Sequence, residues 1–285
     1  METLIGIVAY GGLDFLKLAV RETRATLNRR GDICVVVAKP GDHEMADWAS
    51  KEGCQTIIHT QNEGFPASIN DLCDRAWNAG GYDNLICMGN DVVPMPGALD
   101  AMMGMAETSD WDIICASEFD ARFLVNTYPE AAQYFHGPNL TFTDFNARPW
   151  ELHRPAGCAV DELVQPHALL NVRNLTLFRR GSFNTVGYDD VNFWPNGYFA
   201  DNCYAHRCVL AGVRACGLRA AEFFHFWSRT IHQGEDRPHG KHFEENREYY
   251  IKKWGGPPGS ETKNAPIKID SRKDEQRLIQ QWRGR

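Results

Sequence analysis

None of the nine cysteines forms a Cys-x-x-Cys pair, and Cys34, Cys73, Cys87 and Cys115 sit inside apolar runs. That argues against a zinc site or a disulfide framework and for buried, reduced thiols in a cytoplasmic protein. The apolar runs fall far short of the ~20 residues that cross a bilayer, so any membrane contact is peripheral. No leader peptide is visible ahead of the first strand. A Gly-x-x-x-x-Gly-Lys-Ser/Thr phosphate loop is missing, and only Gly11 and Gly12 stand where a dinucleotide enzyme needs Gly-x-Gly-x-x-Gly. A sugar nucleotidyltransferase should carry a glycine-rich basic loop after strand one, and Leu13 and Asp14 follow instead. There is no internal repeat. Positive charge is also scarce: the net charge of −7 speaks against a nucleic-acid binder as a whole.

What is present is an ordinary globular composition, 43% hydrophobic and 24% charged over 285 residues, enough for a full core. The charge is uneven. From Arg237 onward twelve Lys/Arg face seven Asp/Glu, a surplus of five, which leaves −12 for the rest. Such a basic segment either follows phosphates or an anionic surface, or is a solvated face.

Apolar, β-branched runs at residues 4–10, 33–38, 56–59, 85–88 and 112–116 read as strands. Between the first two, Leu13, Leu16, Val20 and Leu27 make a helical stripe that Gly31 stops. Between the third and fourth, Ile69, Leu72, Cys73, Ala76 and Trp77 fall at helical spacing after Pro66. Another helix runs from Pro96 to about residue 106. This alternation predicts an α/β fold with a mostly parallel central sheet and helices on both faces. Residues 119–170 lose periodicity and are rich in aromatics and proline, which suits a binding or lid element. Residues 172–179 resume as a strand, 201–210 as a helix, and 213–226 as one or two strands.

The pivotal stretch is Gly89-Asn90-Asp91-Val92 at the end of the strand 85–88. A carboxylate at the carboxyl end of a buried strand lies where open α/β sheets bind ligands. A glycine two residues before it permits close approach of a ligand to the backbone. Asp91 either grips a divalent cation or closes an Asx turn with Asn90.

In this order the pieces resemble the GT-A glycosyltransferases, most closely the inverting family 2, over residues 4–230. The resemblance rests on Tyr10-Gly11 closing the first strand and on Asn62, Gly64 and Phe65 followed by Asn70. It rests also on Asp91 at the metal-binding acidic triplet, on Val186-Gly187-Tyr188-Asp189-Asp190, Asp201, Arg207 and Ala211-Gly212, and on a late His225. Two positions depart from the family pattern: Gly89 replaces the first acid of the triplet, and Ala200 replaces the Glu before the catalytic Asp.

The resemblance implies an inverting transfer from a nucleotide-diphosphate sugar to an acceptor hydroxyl, assisted by Mn²⁺ or Mg²⁺. Residues 1–119 would form the nucleotide-sugar half, 120–230 the acceptor half, and 231–285 a basic extension. Asp91 and His225 would hold the metal, and an imidazole ligand favours Mn²⁺. Tyr10, Asn62, Gly64, Asn70, Asn90 and Asp91 would line the donor, and Asp201 would be the base. Each has a structural alternative: packing for Tyr10, Asn62 and Asn70, a core histidine for His225, a helix N-cap for Asp201. The implied acceptor is a saccharide or lipid-linked saccharide. The alternatives are a hydroxylated base in viral DNA, placing the enzyme in a host cytoplasm, and a binding module without activity.

Overall fold

The computed structural model describes residues 1–29, 31–118, 160–163, 174–225 and 239–270. The aromatic-rich stretch expected to act as a lid lies outside them, apart from one short strand. So do the residues after His225 in the late histidine segment and the last part of the basic extension.

The chain opens with three β–α units: β1 (Thr3–Ala9), α1 (Leu13–Thr26), β2 (Asp32–Val37), α2 (His43–Lys51), β3 (Gln55–Ile58) and α3 (Phe65–Cys73). A π-helical turn, Asp74–Ala79, extends α3. Then come β4 (Asn84–Gly89), β5 (Val92–Pro94), α4 (Ala98–Thr108), β6 (Ile113–Glu118), β7 (Val160–Leu163) and β8 (Leu175–Arg179). The last elements are α5 (Arg180–Val186), a 3₁₀ turn (Val191–Phe193), α6 (Ala200–Leu210), β9 (Ala215–His225) and α7 (His239–Trp254). Helix α2 is not among the helices expected from the sequence; Asp42 caps it by accepting from the Met45 N–H at 3.2 Å.

One sheet runs β3-β2-β1-β4-β8-β6-β9-β5, with β7 also on β9. Strands β3, β2, β1 and β4 are parallel, and β8 runs antiparallel between β4 and β6. The expected α/β sheet is therefore present, with mixed strand directions in its second half.

Strand alternation divides the core into two layers. Ile5, Ile7, Val35, Val37, Ile86 and Met88 face α1, α2 and α4. Leu4, Val8, Cys34, Val36, Leu85 and Cys87 face α3 and α6, as period-two side chains on a sheet covered on both sides must. At Gly6 an added Cβ would sit 2.5 Å from Leu72, so this glycine lets α3 lie close on β1. The eight described cysteines are buried and form no disulfide; burial pushes the Cys115 thiol up to about 12.

The basic extension is partly inside the fold. Tyr250 and Trp254 of α7 are fully buried and form a third cluster with Phe193, Ala200 and Cys203. Lys253 Nζ lies 2.6 Å from Asp190. Farther on, Ile269 accepts from the Tyr188 N–H and donates to Val186 O. Arg207, fully buried, donates to the Val186, Tyr188 and Ile267 carbonyls and lies 3.9 Å from Asp189.

Candidate donor and metal site

Strands β1 and β4 are adjacent and parallel, so their carboxyl ends emerge side by side. After β1 the backbone passes through Gly11 (φ 76°) and Gly12 (φ 71°), two left-handed residues that glycine adopts without steric penalty. Asn90, leaving β4, fixes that loop. Its side-chain amide donates to Gly11 O at 2.8 Å and to Gly12 O at 3.3 Å, and its N–H to Val8 O. Asn90 thus holds the Gly11–Gly12 loop through its backbone carbonyls.

Asp91 follows at the turn into β5. Its carboxylate folds back over Gly89, where a Cβ would come 2.8 Å from Asp91 Oδ1. The glycine expected to admit a ligand instead makes room for the carboxylate of Asp91. Val92 pairs with His225 across the β5–β9 ladder, which sets His225 Nε2 3.5 Å from Asp91 Oδ2. On the other side of the ring, Nδ1 lies 3.7 Å from Glu118 Oε1 at the end of β6. Burial alone would lower the imidazole pKa, but Asp91 and Glu118 outweigh it and raise it to about 9.

The Asp91–His225 pair has a spacing that fits a divalent cation. Two ligands of one ion at ~2.0–2.2 Å bond lengths stand roughly 3.0–3.5 Å apart, and the Asp91–His225 separation is 3.5 Å. An Oδ2 and an Nε2 could hold the ion, with the two acids supplying negative charge around a site of mixed oxygen and nitrogen donors.

A second group of ligand-type side chains, His59, Glu63 and Asp71, lies within 4.8 Å of one another. His59 follows β3, Asp71 is on α3, and Glu63 is in the loop between. The His59 Nε2–Asp71 Oδ2 contact is 2.6 Å, shorter than the spacing of two ligands on one ion. It is an Asp–His hydrogen bond as it stands, and an ion would have to part the pair.

The remaining expected donor residues separate into two kinds. Asn62 stays at the crevice: its amide reaches the Tyr10 hydroxyl at 3.5 Å and its Oδ1 accepts from the Gly64 N–H at 3.1 Å. Gly64 and Asn70 make close packing contacts. Gly64 (φ 85°) lies where a Cβ would meet Trp194 at 2.7 Å and Pro195 O at 3.0 Å, so it serves the contact between two loops. Asn70 is fully buried. Its Oδ1 accepts from the Asp189 N–H at 2.7 Å and its amide donates to Asp189 O at 3.2 Å.

Asp201 lies half-buried in the first turn of α6, where the helix dipole favours a carboxylate. It is not the N-cap: that position is Phe199, in a left-handed conformation at φ 65°. The approach to Asp201 is tied to the donor loop. The Trp194 indole donates to Asn62 O at 3.1 Å, the Phe65 N–H donates to Pro195 O, and a Cβ on Gly197 would press on Phe65 at 3.1 Å. A continuous path of contacts therefore leads from Asn90 through Tyr10, Asn62 and Trp194 to the start of α6. Asp189 and Asp190, which carry part of the resemblance, are almost wholly buried.

Glu118 and the Trp194–Pro195 corner were not anticipated. The strand-end rule that singles out Asp91 on β4 applies equally to Glu118 on β6. Its partner on β9, however, is set by an irregularity invisible in the sequence: Ala116 pairs with Leu218 but Ser117 with Glu222, so β9 carries three extra residues there.

No family model and no curated protein matches this chain. Solved structures do. S. aureus TarS 1-349 superposes with a TM-score of 0.53 at 9% identity, covering 79% of this chain and 60% of that one. Its complex with UDP gives 0.52 at 10% identity, covering 90% and 72%. GalNAc-T7 with UDP, GalNAc and Mn²⁺ gives 0.53 at 11% identity, covering 79% and 44%. The chain thus spans well under two thirds of two of these three. At such identities the likeness concerns architecture alone, and the architecture is the GT-A fold of glycosyltransferases.

Proposed function

We propose that the protein is an inverting glycosyltransferase that moves a sugar from a nucleotide-diphosphate donor to an acceptor hydroxyl. The observation that carries this reading is the Asp91–His225 pair at the ends of adjacent strands, 3.5 Å apart. The UDP and Mn²⁺ found in the similar structures support it. A bound Mn²⁺ or Mg²⁺ neutralises charge on the departing diphosphate.

The chain supplies the rest. Asp91 and His225 would hold the ion. Asn90 keeps the Gly11–Gly12 loop open beneath them, and Tyr10, steadied by Asn62, offers a ring to the base. Asp201 takes the proton of the acceptor hydroxyl as that oxygen attacks the anomeric carbon from the face opposite the leaving group, the single-base logic of inversion. The proposed acceptor is a saccharide or a lipid-linked saccharide.

The test is release of nucleotide from a panel of UDP-, GDP- and CDP-sugars with Mn²⁺, with and without chelator. Metal-dependent cleavage of at least one donor, lost in Asp91→Asn, is expected. If no donor is bound or cleaved, the protein is a binding module on this fold and the enzyme reading is wrong.

A further inference from the structure

The imidazole of His225 has a carboxylate at each nitrogen, and the two are not equivalent. Asp91 faces Nε2 and Glu118 faces Nδ1, so one ion cannot sit between all three. We propose that Glu118 is a positioning residue. With an ion bound it would take the Nδ1–H of His225, 3.7 Å away in this structure, fix the tautomer that presents the Nε2 lone pair to the metal, and stop the ring from turning away. This inference rests on the metal site proposed above.

Three observations converge on it. Histidines that bind metals commonly donate their other ring N–H to a carboxylate, which orients the ring and raises its basicity. Glu118 is partly buried, at 22% side-chain exposure against 19% for His225, so it is not a freely solvated acid that happens to pass nearby. The third is the bulge. Without Arg219, Ala220 and Ala221 inserted between Leu218 and Glu222, β9 would slip against β6 and His225 would lie out of line with Glu118. Arg219 in that bulge is tied to Asp161 of β7 at 2.8 Å. Bulges beside functional sites re-aim a side chain in this way.

The experiment is a Mn²⁺ titration of the full chain, read by the electron paramagnetic resonance of free Mn²⁺, with no donor sugar present. Glu118→Ala should weaken binding about 10–100-fold, the usual loss for removing such a partner. Glu118→Gln, whose amide oxygen still accepts from Nδ1–H, should recover most of it. Glu118→Ala binding as tightly as the parent overturns the proposal. So does Glu118→Gln binding as weakly as Glu118→Ala, because charge and not orientation would then be what matters. Asp91→Asn in the same titration separates this from the site itself. Unchanged affinity there sinks the metal site, whereas a loss there with none in Glu118→Ala sinks only the role of Glu118. Unchanged melting of Glu118→Gln shows that the fold is intact.

Discussion

The two sides of the crevice treat their polar groups in opposite ways. Around β4, β6 and β9, two acids surround one imidazole at 3.5 and 3.7 Å, partly open, an excess of negative charge that folding alone does not require. Behind α6, the acids are closed off. Asp190 accepts from Asn192, Tyr249 and Lys253, and Arg207 is occupied by three carbonyls with Asp189 beside it. Where the buried acids are met by donors, as Asp190 is by three, the cluster holds the fold. Where charge is oversupplied and partly open, the cluster has the character of a ligand site.

Changes on the open side should therefore affect function and those on the closed side stability. The largest effect is expected at Asp201. Asp201→Asn should lower turnover about 10²–10⁴-fold while leaving the melting temperature and Mn²⁺ affinity unchanged. A loss of stability there would make Asp201 structural. Next comes Asp190→Ala, which strands Lys253 in a buried site and should cost about 3–5 kcal/mol in denaturant unfolding. A cost under 1 kcal/mol would show that the closed side is not closed.

The same pair gives a pH signature. Burial alone would raise the Asp190 pKa, but Lys253 and the hydrogen bonds hold it below its ordinary value. The stabilisation is therefore full above the unfolded carboxylate value of about 4 and fades as pH falls through the lower folded value. Lys253 is the mirror case. Burial would lower it, yet Cys203 and Asp190 raise it, so its contribution holds below about pH 10 and is lost at higher pH. Asp190→Asn should remove the acid limb in urea melts run from pH 2 to 6.

A smaller effect, about 1–3 kcal/mol, is expected for Gly64→Ala, from its positive φ and the collision with Trp194. It should loosen donor and acceptor loops together, raising KM for both substrates. If only the donor KM moves, the corner does not couple the two sides. Smallest of all should be any response to DNA. With Lys253 already paired inside, weak binding that fades with added salt is the most that the basic segment should show. Tight DNA binding with a steep salt slope would move the acceptor from saccharide to nucleic acid.

Much of this was legible in the residues because the forces involved are local. Runs such as Ile33–Cys34–Val35–Val36–Val37 can only be covered strand, and a carboxylate placed just past Met88 and Gly89 announces a strand-end site. What stayed hidden depends on distant partners. Asn70 looks like a ligand contact until Asp189, 119 residues away, takes up its amide. Glu118 looks like a surface acid until the β9 bulge brings His225 beside it. Helix α2 escaped because Asp42 reads equally well as a turn residue or a cap.

The bare α-carbon at position 89 carries one last implication. A designer comparing this chain with its structural cousins would be tempted to repair the acidic triplet with Gly89→Asp. A Cβ there would meet Asp91 Oδ1 at 2.8 Å, so the repair would turn the Asp91 carboxylate away from its present position. As folded, the seat at this corner holds one acid.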